Sequence, residues 1–278
     1  MFHKLIRLAG VLLLLAATQG FAQEQQAAAA APIPAASPSE MACSGFISGT
    51  PLSKDLYVFE GADNDFRGEL HQFAVGDYVY IRSRSGTGIS VGNEFSIVRS
   101  AKELMRVRWY GLQGLQLSAM GTAYEDVGKV KVVTVTPQGA VAEVTASCGP
   151  IRPNDLAIPY QPRTAPQYTP GAQLHRFAPS NNKLWGIIAA GVGNTAYLGV
   201  GSMAYLNLGQ SHGVSPGQRF RIFRIFRDVS NAGFRILPET PRETIGELVI
   251  LSVQEFSSVG MVVQSQREIS LRDGVELE

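Results

Sequence analysis

The sequence predicts an all-β chain: two tandem small β-barrels of the SH3-like kind, made by internal duplication, behind a signal peptide and a disordered leader. Three observations predict it. Gly128–Ile158, GKVKVVTVTPQGAVAEVTASCGPIRPNDLAI, lies without a gap on Gly246–Glu276, GELVILSVQEFSSVGMVVQSQREISLRDGVE, 118 positions further on. Upstream, Tyr80 and the run Gly88–Arg99 match Tyr205 and Gly213–Arg224 at an offset of 125. Two blocks repeated in the same order indicate a duplicated domain. Finally, the apolar residues come in short, Val-rich runs bounded by Gly, Pro and Ser, and no stretch has the period of a three-turn amphipathic helix.

Taken in order, residues 1–22 read as a signal peptide. Lys4 and Arg7 give a basic start, Leu8 to Ala17 an apolar run, and Gly20-Phe21-Ala22 a small-x-small cleavage site. An apolar run of about ten residues is half of what a spanning helix needs, and no later stretch is long and apolar enough to span. No Cys follows the run at a lipidation position. The expected location is therefore outside the cytoplasm, periplasmic or extracellular. Residues 23–41 are Ala, Pro, Gln and Ser with almost no large apolar side chain, and read as a disordered leader.

Barrel one is assigned to 42–160. Gly45–Ser48, Asp55–Phe59 and Phe73–Ile81 are strand-like, with Tyr78 and Tyr80 on one face and Val79 and Ile81 on the other. Phe95 and Ile97 share a face by alternation, while Leu104–Tyr110 fits a strand or a short helix. In the repeated hairpin, Val130, Val132, Val133 and Val135 are too β-branched to prefer a helix. Pro137-Gln138-Gly139 suits a type I turn. The Pro-rich segment 161–173 reads as a linker. Barrel two follows over 174–278, with Asp228–Glu243 as a polar excursion from its rim.

Cys43 and Cys148 are the only cysteines. In an oxidising compartment the pair is expected as a disulfide rather than two free thiols. It would tie the first strand of barrel one to one of its last, and closing a loop of about 100 residues is worth roughly 4.7 kcal/mol in the chain-entropy model. The second repeat has Gln266 in place of Cys148, so the bridge is no part of a shared function.

Losing Lys4 and Arg7 with the signal takes the formal charge from +1 to −1. That gives no electrostatic case for nucleic acid or an anionic membrane. Catalytic and cofactor motifs fail on context. Gly209-Gln210-Ser211-His212-Gly213 spells a nucleophile elbow, but Pro216 and Gly217 stand where the elbow needs a helix. The glycines of 186–196 imitate a dinucleotide fingerprint, yet a strand-like segment follows instead of a helix. Asp63–Gly68 echoes a calcium loop, with Arg67 and Ala74 at positions that need ligands. His71, His175 and His212 have no partner at metal-ligand spacing. No cofactor, no metal and no enzymatic activity are expected. The exposed-aromatic candidates for a ligand or partner surface are Trp109, Tyr110, Trp185 and Tyr205. Arg219, Arg221 and Arg224 are candidates for a basic stripe, although an ordinary strand with Phe220 and Ile222 inward explains them as well.

A Gly-(Val/Ile)-x-x-Gly-x-x-Phe-x-Ile strand, then Gly-x-(Val/Leu)-x-(Val/Ile)-x-x-Val and an Ile-x-x-x-Asp ending, resembles the carboxy-terminal β-barrel domain of flagellar assembly protein T and related bacterial envelope modules. The resemblance covers roughly 88–158 and 213–278. It implies a non-enzymatic part in a periplasmic assembly. The expected function is thus a non-catalytic envelope protein that assembles with or docks another envelope protein. A module binding peptidoglycan or polysaccharide is the alternative, and a hydrolase using Ser211 and His212 the remote third.

Overall fold

The computed structural model describes residues 31–61, 72–86, 88–106, 108–171, 174–225 and 242–278. The segment read as a signal peptide, the calcium-like run Asp63–Gly68 and nearly all of the stretch read as the 228–243 excursion lie outside them. The elements of the first half are β1 (Ile33–Pro34), α1 (Pro38–Ala42), β2 (Phe46–Ser48), β3 (Leu56–Gly61), β4 (Tyr78–Ser83), β5 (Glu94–Ser100), α2 (Lys102–Arg106), α3 (Gln113–Met120), β6 (Thr122–Thr136), β7 (Gly139–Ser147) and β8 (Leu156–Pro159). The second half holds β9 (Gln167–Tyr168), β10 (Trp185–Gly191), β11 (Tyr197–Leu198), β12 (Met203–Leu206), β13 (Arg219–Ile225), β14 (Arg242–Val253), β15 (Ser258–Ser265), β16 (Ile269–Ser270) and β17 (Gly274–Leu277). The stretch open to either reading, 104–110, begins inside helix α2.

The fold is all-β, with two closed antiparallel barrels of six strands. Barrel one runs β6-β5-β8-β3-β4-β7 and closes on β6, and barrel two runs β14-β13-β17-β10-β12-β15 and closes on β14. The orders are identical, strand for strand. Register irregularities recur too: Ile97/Val98 with Ile222/Phe223, Lys129/Val130 with Glu247/Leu248, and Val132/Thr134 with Ile250/Ser252. A fourth pair, Val58/Glu60 and Ile188/Ala190, reveals a third offset, 130, relating β3 to β10. A bulge bends its strand and re-aims the side chains beyond it, so sharing all four means sharing the course of the barrel wall.

Matched inward positions fill matched cores: Phe95 and Phe220, Ile97 and Ile222, Val130 and Leu248, Val132 and Ile250, Ile151 and Ile269 are all buried. Gly128 and Gly246 mark the same bend. A Cβ on either would lie 2.7 Å from a carbonyl oxygen of the neighbouring strand, which explains why both copies of the repeat begin on glycine. The repeated Asp is a staple. Asp155 accepts from Arg99 Nε at 2.7 Å, Arg99 Nη2 at 2.6 Å and the Arg152 N–H at 2.7 Å. Asp273 accepts from Arg224 Nε at 2.8 Å, Arg224 Nη2 at 2.6 Å and the Ser270 N–H at 2.7 Å. Each ties the end of one strand to the turn that leads into another.

Two expectations are corrected. The leader is not a spacer as far as residue 41. β1 pairs with β9, Ser37 caps α1 in a capping box, and Ala35, Ala36 and Met41 are buried against Val249, Leu251 and Met261 of barrel two. The 161–173 segment is not a free linker either. Besides carrying β9, it sends Arg163 to Asp126 with Nη1–Oδ2 2.6 Å and Nη2–Oδ1 2.9 Å. Both expectations weighed what these segments can bury among themselves. Small Ala and Pro residues have no core of their own, yet they fit closely over an apolar surface that another element supplies.

Barrel one also carries an annex, built from β2, α2, α3 and the first part of β6. Ile47, Leu104, Leu117, Met120 and Ala123 pack with Ala189, Ala190, Tyr205 and Val259 of barrel two. Tyr110 Oη and Gln113 Nε2 both donate to the Ala189 carbonyl, at 3.1 and 3.0 Å, and Ser257 Oγ donates to the Ile47 carbonyl at 2.8 Å. Residues 32–278 consequently form one compact unit. The Cys43–Cys148 disulfide spans 105 residues and fastens the leader to barrel one. Cys43 sits at the C-terminal end of α1 rather than opening a strand.

Candidate functional site

The residues singled out from sequence do not converge. Tyr205 is buried at the joint between the barrels, where burial, then the nearby Asp126 and Glu125 carboxylates, push its phenol well above the usual value. It belongs to the core, because the annex covers the wall on which it sits. Tyr110 is half-buried and hydrogen-bonded across the joint, and burial pushes its phenol up to about 12. Trp109 and Trp185 are exposed, but Trp109 Nε1 donates to Asn194 Oδ1 at 3.1 Å, just past the end of β10, whereas Trp185 begins that strand. Six residue steps of strand separate them by ~20 Å, too far for one stacking platform.

The basic stripe is neutralised. Arg219 holds Glu247 with two hydrogen bonds of 2.7 and 2.9 Å, Arg221 reaches Glu276 at 2.8 Å, and Arg224 is the staple on Asp273. Arg219 and Arg221 alternate onto the outer wall beside Glu247 of β14 and Glu276 of β17, and Arg224, at the end of β13, turns to Asp273 just before β17. Their charge serves the barrel wall.

Ser211 lies in a single 3-10 turn, Gln210–His212, that ends at Gly213 with φ 79° and leads into a strand. Its hydroxyl donates to the Glu255 carbonyl at 2.8 Å, and His212 Nδ1 accepts the Gly209 N–H at 3.1 Å. Ser211 Oγ lies 3.2 Å from His212 Nδ1, but the turn leads into no helix, so the strand-to-helix frame of a nucleophile elbow is missing here. Of the glycines in the dinucleotide-like stretch, Gly186 lies near the start of β10, Gly191 at its end and Gly193 in the short 3-10 turn that follows. Among the described residues no group of three or more His, Cys, Asp or Glu could hold a metal ion.

What the structure brings together instead is an open face on barrel one. Phe59, Tyr78, Tyr80 and Val133 are all exposed on the outer wall of β3, β4 and β6, with β7 lying between β4 and β6. A groove of about 380 Å³ runs past Phe59, Tyr80, Arg82 and Pro137. Arg82 lies over the Phe59 ring, 3.4 Å from its centroid, which holds the ring against the wall.

The duplication supplies an internal control. By the three offsets, Phe59, Tyr80 and Val133 stand where barrel two has Ala189, Tyr205 and Leu251. Those three are buried, the first two under the annex and Leu251 under the leader. On barrel one no described residue covers the same wall. Its exposure does not follow from the barrel architecture, since the second copy shows the wall covered. Neither a protein-family model nor a curated protein matches this chain.

Proposed function

We propose that this protein is a non-catalytic docking module of the cell envelope, exported by its N-terminal signal, which seats another protein on the open wall of barrel one. The observation that supports this most is the contrast between Tyr80, 38% exposed, and its counterpart Tyr205, 2% exposed. Barrel two shows what such a wall accepts: polypeptide, contributed there by the leader and the annex of the same chain. A protein partner therefore fits the face better than a glycan does. Both barrels are closed and offer no free edge, so recognition rests on side chains rather than on an added strand. Aromatic residues of this kind are the usual anchors of an interface. An assembly role is also what the resemblance of the repeat implies, and a structural disulfide suits an oxidising compartment.

The test uses the purified chain as bait against solubilised envelope proteins, as wild type, as Tyr80→Asp/Val133→Asp, and as Trp185→Ala. A single protein retained by wild type and by Trp185→Ala, and lost with the double variant, is the expected result. Retention indifferent to the wall, or sedimentation with purified cell wall alone, overturns the reading.

A further inference from the structure

A second feature of barrel one is independent of the docking wall. A cleft of about 690 Å³ opens between the approach to β3, the end of β4, the β5–α2 junction and the turn before β8. The Arg99–Asp155 staple forms part of its floor. Around it stand Lys54, Arg84, Lys102 and Arg152, with Glu103 and Glu125 on the same walls. All four of these cations are exposed, and none makes an ion pair with a described residue. With the staple included, five cations face three carboxylates, in a chain whose formal charge is only +1.

We propose that this cleft binds a compact multivalent oxyanion, an oligomer carrying two or more carboxylate or phosphate groups. The duplication again separates what the barrel needs from what it does not. The staple recurs in barrel two as Arg224–Asp273, but Lys54, Arg84 and Arg152 stand where barrel two has Leu184, Gly209 and Ser270. A barrel of the same order and register closes without them, so stability of the fold does not require like charges to be gathered here. Arg84 is held by an aromatic ring, its guanidinium lying over Tyr57 at 4.5 Å from the centroid. A planar guanidinium of restricted orientation matches the paired oxygens of a carboxylate or phosphate. The volume is that of a small-molecule site. Because Glu103 and Glu125 offset part of the charge, a single carboxylate gains little, and the ligand must bring at least two negative groups to be held.

The experiment is calorimetric titration of the full chain with inorganic tripolyphosphate, with trigalacturonate and with neutral maltotriose, at 50 and 200 mM salt. Wild type, Arg84→Ala/Arg152→Ala and the remote control Lys183→Ala are compared, each checked for an unchanged melting temperature. At least one anionic probe is expected to bind, at least tenfold more weakly in the double variant and severalfold more weakly at the higher salt, with Lys183→Ala like wild type. Binding of tripolyphosphate alone identifies a phosphate-bearing ligand, and of trigalacturonate alone a carboxylate-bearing one. No binding of either anion, equal binding of maltotriose, or a double variant that binds like wild type overturns the proposal.

Discussion

Tyr80 and Tyr205 occupy the same station on two barrels of identical strand order, and one faces solvent while the other is sealed beneath the annex. Their substitution to alanine should therefore have opposite readouts. Tyr205→Ala opens a cavity in the joint and should cost on the order of 3 kcal/mol. Tyr80→Ala should leave stability within about 0.5 kcal/mol of wild type while weakening partner capture. Urea unfolding of both variants checks the first half, and equal destabilisation would contradict it.

The paired staples are expected to behave alike. Asp155→Ala and Asp273→Ala each remove a buried carboxylate that accepts three hydrogen bonds, two of them from a guanidinium. Hydrogen bonds to charged groups contribute about 1.5–3 kcal/mol, so each variant should lose roughly 2 kcal/mol. The melting temperature should fall by about 4–8 °C in a chain of this size. A drop for one variant and none for the other would show that the staples are not equivalent.

Acid should loosen barrel two through Glu276. Burial pushes this carboxyl up, but the Ser180 hydroxyl, Arg242 and Arg221 together hold it below its ordinary value. A folded value below that of the unfolded chain, about 4.3, stabilises fully above that pH, and the contribution is lost as pH falls through the folded value. Unfolding free energy measured from pH 6 to pH 3 should fall more steeply for wild type than for Glu276→Gln. Parallel curves would contradict the assignment.

Replacing Cys43 and Cys148 by serine frees a leader otherwise bonded to barrel one across 105 residues. Losses of roughly 2–5 kcal/mol are typical for a bridge of this kind. The melting temperature should fall, and a protease should reach residues 32–43 before it cuts either barrel. An unchanged melting curve would mean that packing on Val249, Leu251 and Met261 alone holds the leader.

The duplicated hairpin was legible because the strand period, the opening glycine and the Ile-to-Asp spacing survive in both copies, although Pro137-Gln138-Gly139 gives way to Glu255-Phe256-Ser257. The third offset was not, since β3 and β10 share little beyond Gly61 and Gly191. The leader and the Pro-rich connection misled for one reason: their burial depends on a distant surface, which local composition does not report. The open wall had a visible sign in Tyr78-Val79-Tyr80-Ile81, where bulky groups occupy both faces of one strand. In a small barrel only one face points inward, so the tyrosines had to meet solvent or a partner. The basic cleft left no such sign, because Lys54, Arg84, Lys102 and Arg152 come from four separate segments, three connections and the first residue of α2.

The most direct test of the docking wall is site-specific photo-cross-linking in the native envelope, with the reactive residue placed in turn at Tyr80, Val133, Trp185 and Tyr197, all of which are exposed. The account predicts that positions 80 and 133 label one and the same foreign protein, while 185 and 197 do not. Labelling that is equal from all four positions, labelling of a second copy of this chain alone, or none from 80 and 133 would contradict it.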